Sequence, residues 1–419
     1  PIGANVIIIY YSDDGGYTWA KSNSDLTTPC YHGFNGNNYG ATEPSILELK
    51  DGKLWMLMRT QTGFLYESYS SNKGITWLDA RPSRFYCSSS PPMLARLPDD
   101  RLIVIWNNCE MPPRHDGAIV YGGRDALHAA ISKDEGKTWR GFREVYRDPF
   151  RNESPPPRGD RGTAYPTPPV MVNDKILFLT GQGLKRRNLI SLDPQWLTET
   201  HHEDDFFSGL EDWTVFKAFG PIKKGFGRDR VQGPKLIDHP SKTGARALHI
   251  RRLDGKKPDG AVWNFPSGSK GNLTLRILLK KGFAGGNIAM GDRFFNPCDD
   301  NGEKMAMFSV PIKADCHIEA GPKLENSRWY TINLNWDLAK KSCSLLVDGN
   351  KAVELKVLNE TINGICYLRL RSTAEGIDSA GYLIESVAVD IEQPIAPERT
   401  IEDVHNLLSK YRQGKKVNP

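Results

Sequence analysis

Three eight-residue segments of this chain share one pattern, and that pattern narrows the possible folds more than any other feature. The segments are Ser12-Asp13-Asp14-Gly15-Gly16-Tyr17-Thr18-Trp19, Ser70-Ser71-Asn72-Lys73-Gly74-Ile75-Thr76-Trp77 and Ser132-Lys133-Asp134-Glu135-Gly136-Lys137-Thr138-Trp139. Each reads S-x-[DN]-x-G-x-x-W and follows an apolar stretch suited to a strand. The chemistry is that of a turn. The Asp or Asn side chain accepts from turn amides, the Gly takes a backbone angle that other residues resist, and the Trp packs back under the turn. These aspartates therefore read as structural rather than catalytic. The Trp residues recur 58 and 62 residues apart, so the chain repeats one unit of short strands.

Residues 41–77 show what a unit contains. Glu43-Pro44 leads into an alternating run, Ile46-Leu47-Glu48-Leu49, and Asp51-Gly52 supplies a tight reversal. A second apolar strand, Leu54-Trp55-Met56-Leu57-Met58, ends in Arg59, and a third, 64–69, runs into the second repeat. Antiparallel neighbours pair start to finish, so Glu43 and Arg59 should lie close together. Taken alone, they form an ion pair at a sheet end. The same grammar recurs at 93–106. Beyond a polar loop, Arg124 opens a strand at 125–131 that enters the third repeat. A further unit starts at Ala164-Tyr165-Pro166 and continues through 170–172, 176–180 and 188–192.

The pattern changes near residue 200. His201-His202-Glu203-Asp204-Asp205 reads as a linker, and the repeats stop there. Strands continue from 213 to 392. The segment from Trp329 to Asp337, ending in Trp-Asp, and the Asp348-Gly349 turn after 345–347 resemble laminin-G or concanavalin-like jelly-roll sandwiches, which would serve as a scaffold or bind sugar. One helix is expected at 400–411, capped by Thr400, with Ile401, Val404, His405, Leu408 and Tyr411 on one face.

Bulk properties exclude several functions. The formal charge is +5 over 419 residues with no long Lys/Arg run, which argues against nucleic acid as the main partner. No stretch approaches the ~18 apolar residues of a membrane-spanning helix. The seven cysteines include no close C-x-x-C pair, so a zinc site is not expected; a disulfide or two stays open. The sequons at Asn152, Asn272 and Asn359 occur at about chance frequency. Pro1 is followed almost at once by an apolar strand with no signal peptide, so the sequence reads as the interior, or a processed piece, of a longer protein.

The three repeats, the Glu43-Pro44-Ser45 strand head and Arg59 make the chain similar to the exo-sialidase (neuraminidase) superfamily, whose propellers carry such "Asp boxes" on the rim away from the active site. The resemblance implies an all-β fold. A sialidase-like β-propeller, six-bladed in the family with about four blades visible here, would fill 1–205. A jelly-roll β-sandwich would fill 206–395, with a helix and tail at 396–419. It further implies a retaining glycosidase acting on sialylated or other acidic glycans, without cofactor, outside the cytoplasm or at the cell surface. Glu43 resembles the family's Glu that deprotonates the nucleophile, and Arg59 and Arg124 resemble two of the three arginines that clamp the substrate carboxylate. Tyr165 resembles the nucleophile, although Pro166 stands where the family usually has a small polar residue. The first arginine and the Asp acid/base have no match; His115 and Asp116 are candidates for the acid. Two other readings share these residues: a uronic-acid enzyme, hydrolase or lyase, with Tyr165, His115 or His128 as base, and a glycan-binding protein without turnover.

Overall fold

The computed structural model describes residues 5–29, 31–32, 38–109, 123–154, 161–182, 187–223, 227–255, 257–400 and 402–406. Its first half is a procession of antiparallel sheets in chain order. A two-stranded ribbon (Ile7–Tyr11, Ala20–Leu26) comes first, and a short pair (Tyr31–His32, Asn38–Tyr39) follows. Next is a four-stranded meander, the first full blade: Thr42–Glu48, Leu54–Arg59, Phe64–Ser70 and Arg81–Tyr86. The second full blade is Met93–Arg96, Leu102–Trp106, Ala126–Ser132 and Arg140–Arg147, and a three-stranded sheet closes the series at Val170–Val172, Lys175–Thr180 and Asn188–Leu192.

Period-two alternation explains why these sheets stack. In the strand Leu54–Arg59, Met56 and Met58 pack toward the ribbon with Ile7, Ile9 and Leu26, while Trp55 and Leu57 pack the opposite way. In Leu102–Trp106, Ile103 and Ile105 face the three-stranded sheet with Ile176 and Phe178, and Val104 and Trp106 join Trp55 and Leu57. A blade between two others must be apolar on both faces, which is why its strands read as continuous hydrophobic runs. The outer sheets each have only one neighbour. Ile8 (52% exposed) and Tyr10 on the ribbon, and Val170 and Leu189 on the last sheet, are therefore exposed. The first strand, apolar in sequence, is buried on one face only.

The three Asp boxes adopt one geometry. In each, the Ser Oγ accepts from the Gly amide four residues on, at 2.8–2.9 Å, and the Thr amide donates to the Asp or Asn Oδ1 at 2.9 Å. The Trp indole N–H donates to the Gly carbonyl in all three. Gly16, Gly74 and Gly136 have φ of 95°, 89° and 83°, the left-handed region where glycine is strain-free. Trp77 and Trp139 are buried as expected, but Trp19 on the ribbon is 64% exposed.

The second half is a two-layer sandwich. The larger sheet runs Lys235–Asp238, Arg246–Arg252, Asp378–Gln393, Lys270–Leu279, Trp329–Asp337, Ser342–Val347 and Asn350–Lys356. The smaller runs Trp213–Thr214, Gly260–Gly268, Ile365–Ser372, Gly286–Gly291 and Phe308–Ile312. Their inner faces close one continuous core that includes Trp213, Trp263, Phe265, Leu275, Trp336 and Leu368.

Two expectations are corrected, and one point left open is answered. The supposed linker contains a strand, His201–Asp204, paired with residues 387–390 of the larger sheet. His202 stacks on Trp263 at 4.9 Å, so this polar stretch is held by sheet pairing and an aromatic face. At the C terminus, residues 402–406 are helical and Thr400 caps them through Asp403, but His405 is exposed and only Val404 turns inward among those five, against Phe64, Tyr86 and Ile362. Leu408 and Tyr411 lie outside the described residues. Finally, Cys87, Cys109, Cys298, Cys316, Cys343 and Cys366 are all buried free thiols, so no disulfide forms among them.

The sandwich packs against the outer strands of the two full blades. Phe85, Trp106, Trp139 and Phe142 from the blades share a cluster with Phe216, Val262, Phe294 and Tyr367 from the other half. A buried polar chain crosses the same interface. The Asn108 amide donates to His128 Nδ1 at 3.1 Å, which leaves His128 Nε2–H to donate to the Tyr367 hydroxyl at 2.5 Å, and Tyr367 donates to Glu144 Oε1 at 2.5 Å.

Candidate functional site

Glu43 and Arg59 meet at one end of the first full blade. Thr42 pairs with Arg59 and Ser45 with Leu57, so Glu43 and Pro44 form a bulge on the edge of the sheet. Glu43 takes a φ of 44° immediately before a proline, a conformation that costs energy for a side-chain-bearing residue. The bulge turns its carboxylate toward Arg59, and Arg59 Nη1 donates to Glu43 Oε2 at 2.6 Å.

Tyr165 repeats this arrangement on the three-stranded sheet. The amide of Gly181 donates to the Ala164 carbonyl and the amide of Thr167 to the Leu179 carbonyl, so Tyr165 and Pro166 bulge out between two paired positions. Tyr165 has a φ of 62°, again immediately before a proline. Its hydroxyl donates to Glu43 Oε1 at 2.9 Å and accepts from Arg59 Nη1 at 3.2 Å. The two residues are 122 positions apart in sequence. Pro166 thus forms with Tyr165 the same strained step that Pro44 forms with Glu43.

Arg124 completes the group from the second full blade. Its guanidinium lies 5.2 Å from the centre of the Tyr165 ring, with Nη1 donating to Gln182 Oε1 at 2.7 Å. Thr163 Oγ1 donates to the Arg124 carbonyl at 2.7 Å. Arg59 and Arg124 are 9% and 1% exposed, whereas the Glu43 side chain is 39% exposed. The guanidinium groups are buried and the carboxylate reaches solvent. Burial works against the charge of Arg59, but Glu43 and the Tyr165 oxygen outweigh it and hold Arg59 above its ordinary value.

Four of the six sequence-derived site residues therefore converge: Glu43, Arg59, Arg124 and Tyr165. His115 and Asp116 lie outside the described residues. His128, the alternative base, is fully buried and committed to Asn108 and Tyr367, so it cannot reach a substrate at this group. Burial, with Arg147 as a lesser contribution, pushes its imidazole down to about 3. Sequence reasoning missed Gln182 and Ser89. Gln182 follows the end of the middle strand of its sheet, as Arg59 ends the middle strand of its hairpin pair. Ser89 sits at the head of the second full blade, between the blades that supply Glu43 and Tyr165. Comparing these positions from unit to unit would have singled out both. Among the described residues, no set of three or more His, Cys, Asp or Glu side chains is gathered for a metal ion.

The group offers two guanidinium groups for an anionic substituent and a phenol hydrogen-bonded to a carboxylate. Residues 3–175 match the sequence model of the BNR repeat-like domain. No curated protein matches the chain. Among solved structures, similar chains include a sialidase, at 13% identity and TM-score 0.32 over 89% of this chain and 34% of that one. Another is Trypanosoma rangeli sialidase in complex with 2,3-difluorosialic acid as a covalent intermediate, at 13% identity and TM-score 0.32 over 97% and 66%. A third is the apo Crh5 transglycosylase, at 14% identity and TM-score 0.29 over 47% of this chain and 86% of that one. The chain thus spans about a third of the first sialidase and just under two thirds of the second. Residues 3–175, with their Asp boxes and stacked blades, are thus similar to BNR repeat-like domains.

Proposed function

We propose that this protein is a glycoside hydrolase that removes terminal acidic sugars, sialic acid foremost, by a retaining double displacement. The observation that carries the reading is the Tyr165 hydroxyl on Glu43 Oε1 at 2.9 Å, with Arg59 and Arg124 beside it. A phenol is a weak nucleophile until a base takes its proton. In the first step Tyr165 Oη attacks the anomeric carbon while its proton moves to Glu43 Oε1. The bond to the leaving oxygen breaks, and that oxygen takes a proton from an acid, a role we assign to His115 or Asp116. In the second step water attacks the same carbon and gives its proton to the conjugate base of that acid. Tyr165 departs and recovers its proton from Glu43.

The charges suit this substrate class. A carboxylate on the anomeric carbon would repel an anionic nucleophile, and a phenol that stays neutral until attack avoids the repulsion. Arg59 and Arg124 supply donors matched to the substrate carboxylate, and Arg59 Nη1, already on the phenol oxygen, stabilises charge there as the proton leaves. No cofactor is required. A location outside the cytoplasm or at a cell surface fits a substrate of this class.

The test is release of a fluorogenic leaving group from an α-sialoside by the chain and by its Tyr165→Phe variant. Turnover lost in the variant supports the nucleophile. Binding of sialic acid without turnover by either would replace the hydrolase with a glycan-binding protein, and an unsaturated product from a uronic-acid glycan would replace it with a lyase.

A further inference from the structure

Arg59 and Arg124 come from different blades, yet one residue holds both. Ser89 Oγ accepts from Arg59 Nε at 3.2 Å and from Arg59 Nη2 at 3.1 Å, and the Ser89 carbonyl accepts from Arg124 Nη2 at 3.2 Å. Ser89 is itself 5% exposed. It lies in a tight turn where the Ser90 amide donates to the Ser88 carbonyl at 2.6 Å. The neighbouring Ser88 Oγ donates to the carbonyl of Gly123 at 3.2 Å, one residue before Arg124. The turn is therefore fastened to the segments bearing both guanidinium groups.

The bonding of Arg59 defines what this turn does. One edge of its guanidinium, Nε and Nη2, rests on Ser89 Oγ, and Nη1 serves Glu43 and Tyr165. The plane of the group is thereby set. Without the serine oxygen, that edge is free to swing toward Glu43 and grip both carboxylate oxygens, the geometry arginine prefers. Glu43 Oε1 would then be drawn off the Tyr165 hydroxyl, and Arg59 would turn away from Arg124.

We infer that Ser89 is a positioning residue: it orients Arg59 and Arg124 as a pair and keeps Glu43 available to Tyr165. The inference rests on the reading of the site given above and adds a residue that touches neither the reacting atoms nor the sugar. Ser89→Ala should lower kcat/KM on the fluorogenic sialoside by roughly 10- to 100-fold, the scale of misplacing reacting groups by about an ångström. KM should rise because the arginine pair is misaligned, and kcat should fall because Glu43 is diverted. Ser89→Thr, which restores a hydroxyl, should recover most of both while the melting temperature stays constant across the three proteins.

A second readout does not depend on turnover. With arginine labelled with 15N, the Arg59 Nε–H signal should shift and exchange faster with solvent in Ser89→Ala, and should return in Ser89→Thr. Unchanged kcat, KM and Arg59 signal in Ser89→Ala would overturn the inference, as would losses that follow a lowered melting temperature and are not rescued by Thr. A wild-type chain without turnover or sialic-acid binding would overturn the glycosidase reading instead; the NMR comparison would still decide whether Ser89 orients Arg59.

Discussion

The two halves of this chain handle the same problem, a β-sheet with a face to cover, in opposite ways. The sandwich folds two sheets onto each other, and its aromatic residues Trp213, Trp263, Phe265 and Trp336 lie within one closed core. The propeller portion stacks its sheets in series, with separate clusters between successive neighbours, and exposes apolar side chains on the outer sheets. The proposed site is in the half that is less closed. Glu43 and Tyr165 both occupy left-handed steps before prolines, which a surrounding structure must hold in place. Away from that site, Trp106 and Trp139 of the second full blade share a packed cluster with Tyr367 of the sandwich. The difference teaches a contrast of construction: one half buries its aromatic residues in an uninterrupted core, and the other holds strained steps before prolines at its blade ends.

The sharpest way to break this contrast is to cripple each half by its own means. Glu43→Gln should reduce sialoside turnover by roughly a thousandfold, within the range attributed to positioned acid–base groups, and leave the urea midpoint almost unchanged. A large fall in stability would show that the ion pair with Arg59 is a structural staple, and would end the contrast. Trp263→Ala should do the reverse in the sandwich. Truncating this fully buried indole, which packs between His202 and Trp213, should cost about 3–5 kcal/mol in a denaturant titration. A loss below about 1 kcal/mol would mean that the core is looser than its burial implies.

The interface offers an intermediate effect. Tyr367→Phe removes the hydroxyl joining His128 to Glu144 and leaves two buried polar groups without that partner, which should cost about 1–3 kcal/mol by urea unfolding. An unaltered midpoint would show that the halves are held by apolar contact alone. The same region should make stability depend on pH. His128 is held neutral by burial, down to about 3, whereas the unfolded imidazole takes up a proton near its ordinary value of 6.5. Below that value the unfolded chain binds the extra proton, so stability should fall progressively as the pH drops from about 6.5 toward 3. His202, pushed down to about 4 by burial first and Arg143 next, adds to the same trend. Urea midpoints at pH 7 and pH 5 would check it; equal midpoints would mean that these histidines become charged without unfolding. The smallest effect belongs to the exposed ribbon. Ile8→Ser should change stability by no more than about 0.5 kcal/mol, as surface substitutions do. A larger loss in the melting curve would show that this face is covered in solution.

Much of this was legible from residue order because the determinants are local. The Asp boxes announce themselves by spacing, since their side chain–amide bonds span four residues. The meander of 42–70 is set by alternation and by an Asp-Gly turn, which also brings Glu43 to Arg59. Other features lie beyond local signals. The stretch 201–204 is polar and reads as linker, but its backbone finds a partner in residues 387–390, nearly two hundred positions away. The strand Gly260–Gly268 contains three glycine or proline residues that argue against a strand, yet it is wholly buried between neighbours of the smaller sheet. The buried chain from His128 through Tyr367 to Glu144 joins two halves that no pattern connects.

The sequence by itself determined the repeated strand unit, the turns that close it, and the residue types of the candidate site, because period-two alternation, turn chemistry and strand pairing act over a few residues. The tertiary structure alone decided that Tyr165 reaches Glu43 across 122 positions, that two X-Pro bulges aim them at each other, and that Ser89 ties the arginines of two blades together. Those relations depend on how whole sheets stack. The stacking is set by the summed burial of faces that belong to different parts of the chain, and no short stretch of sequence records it.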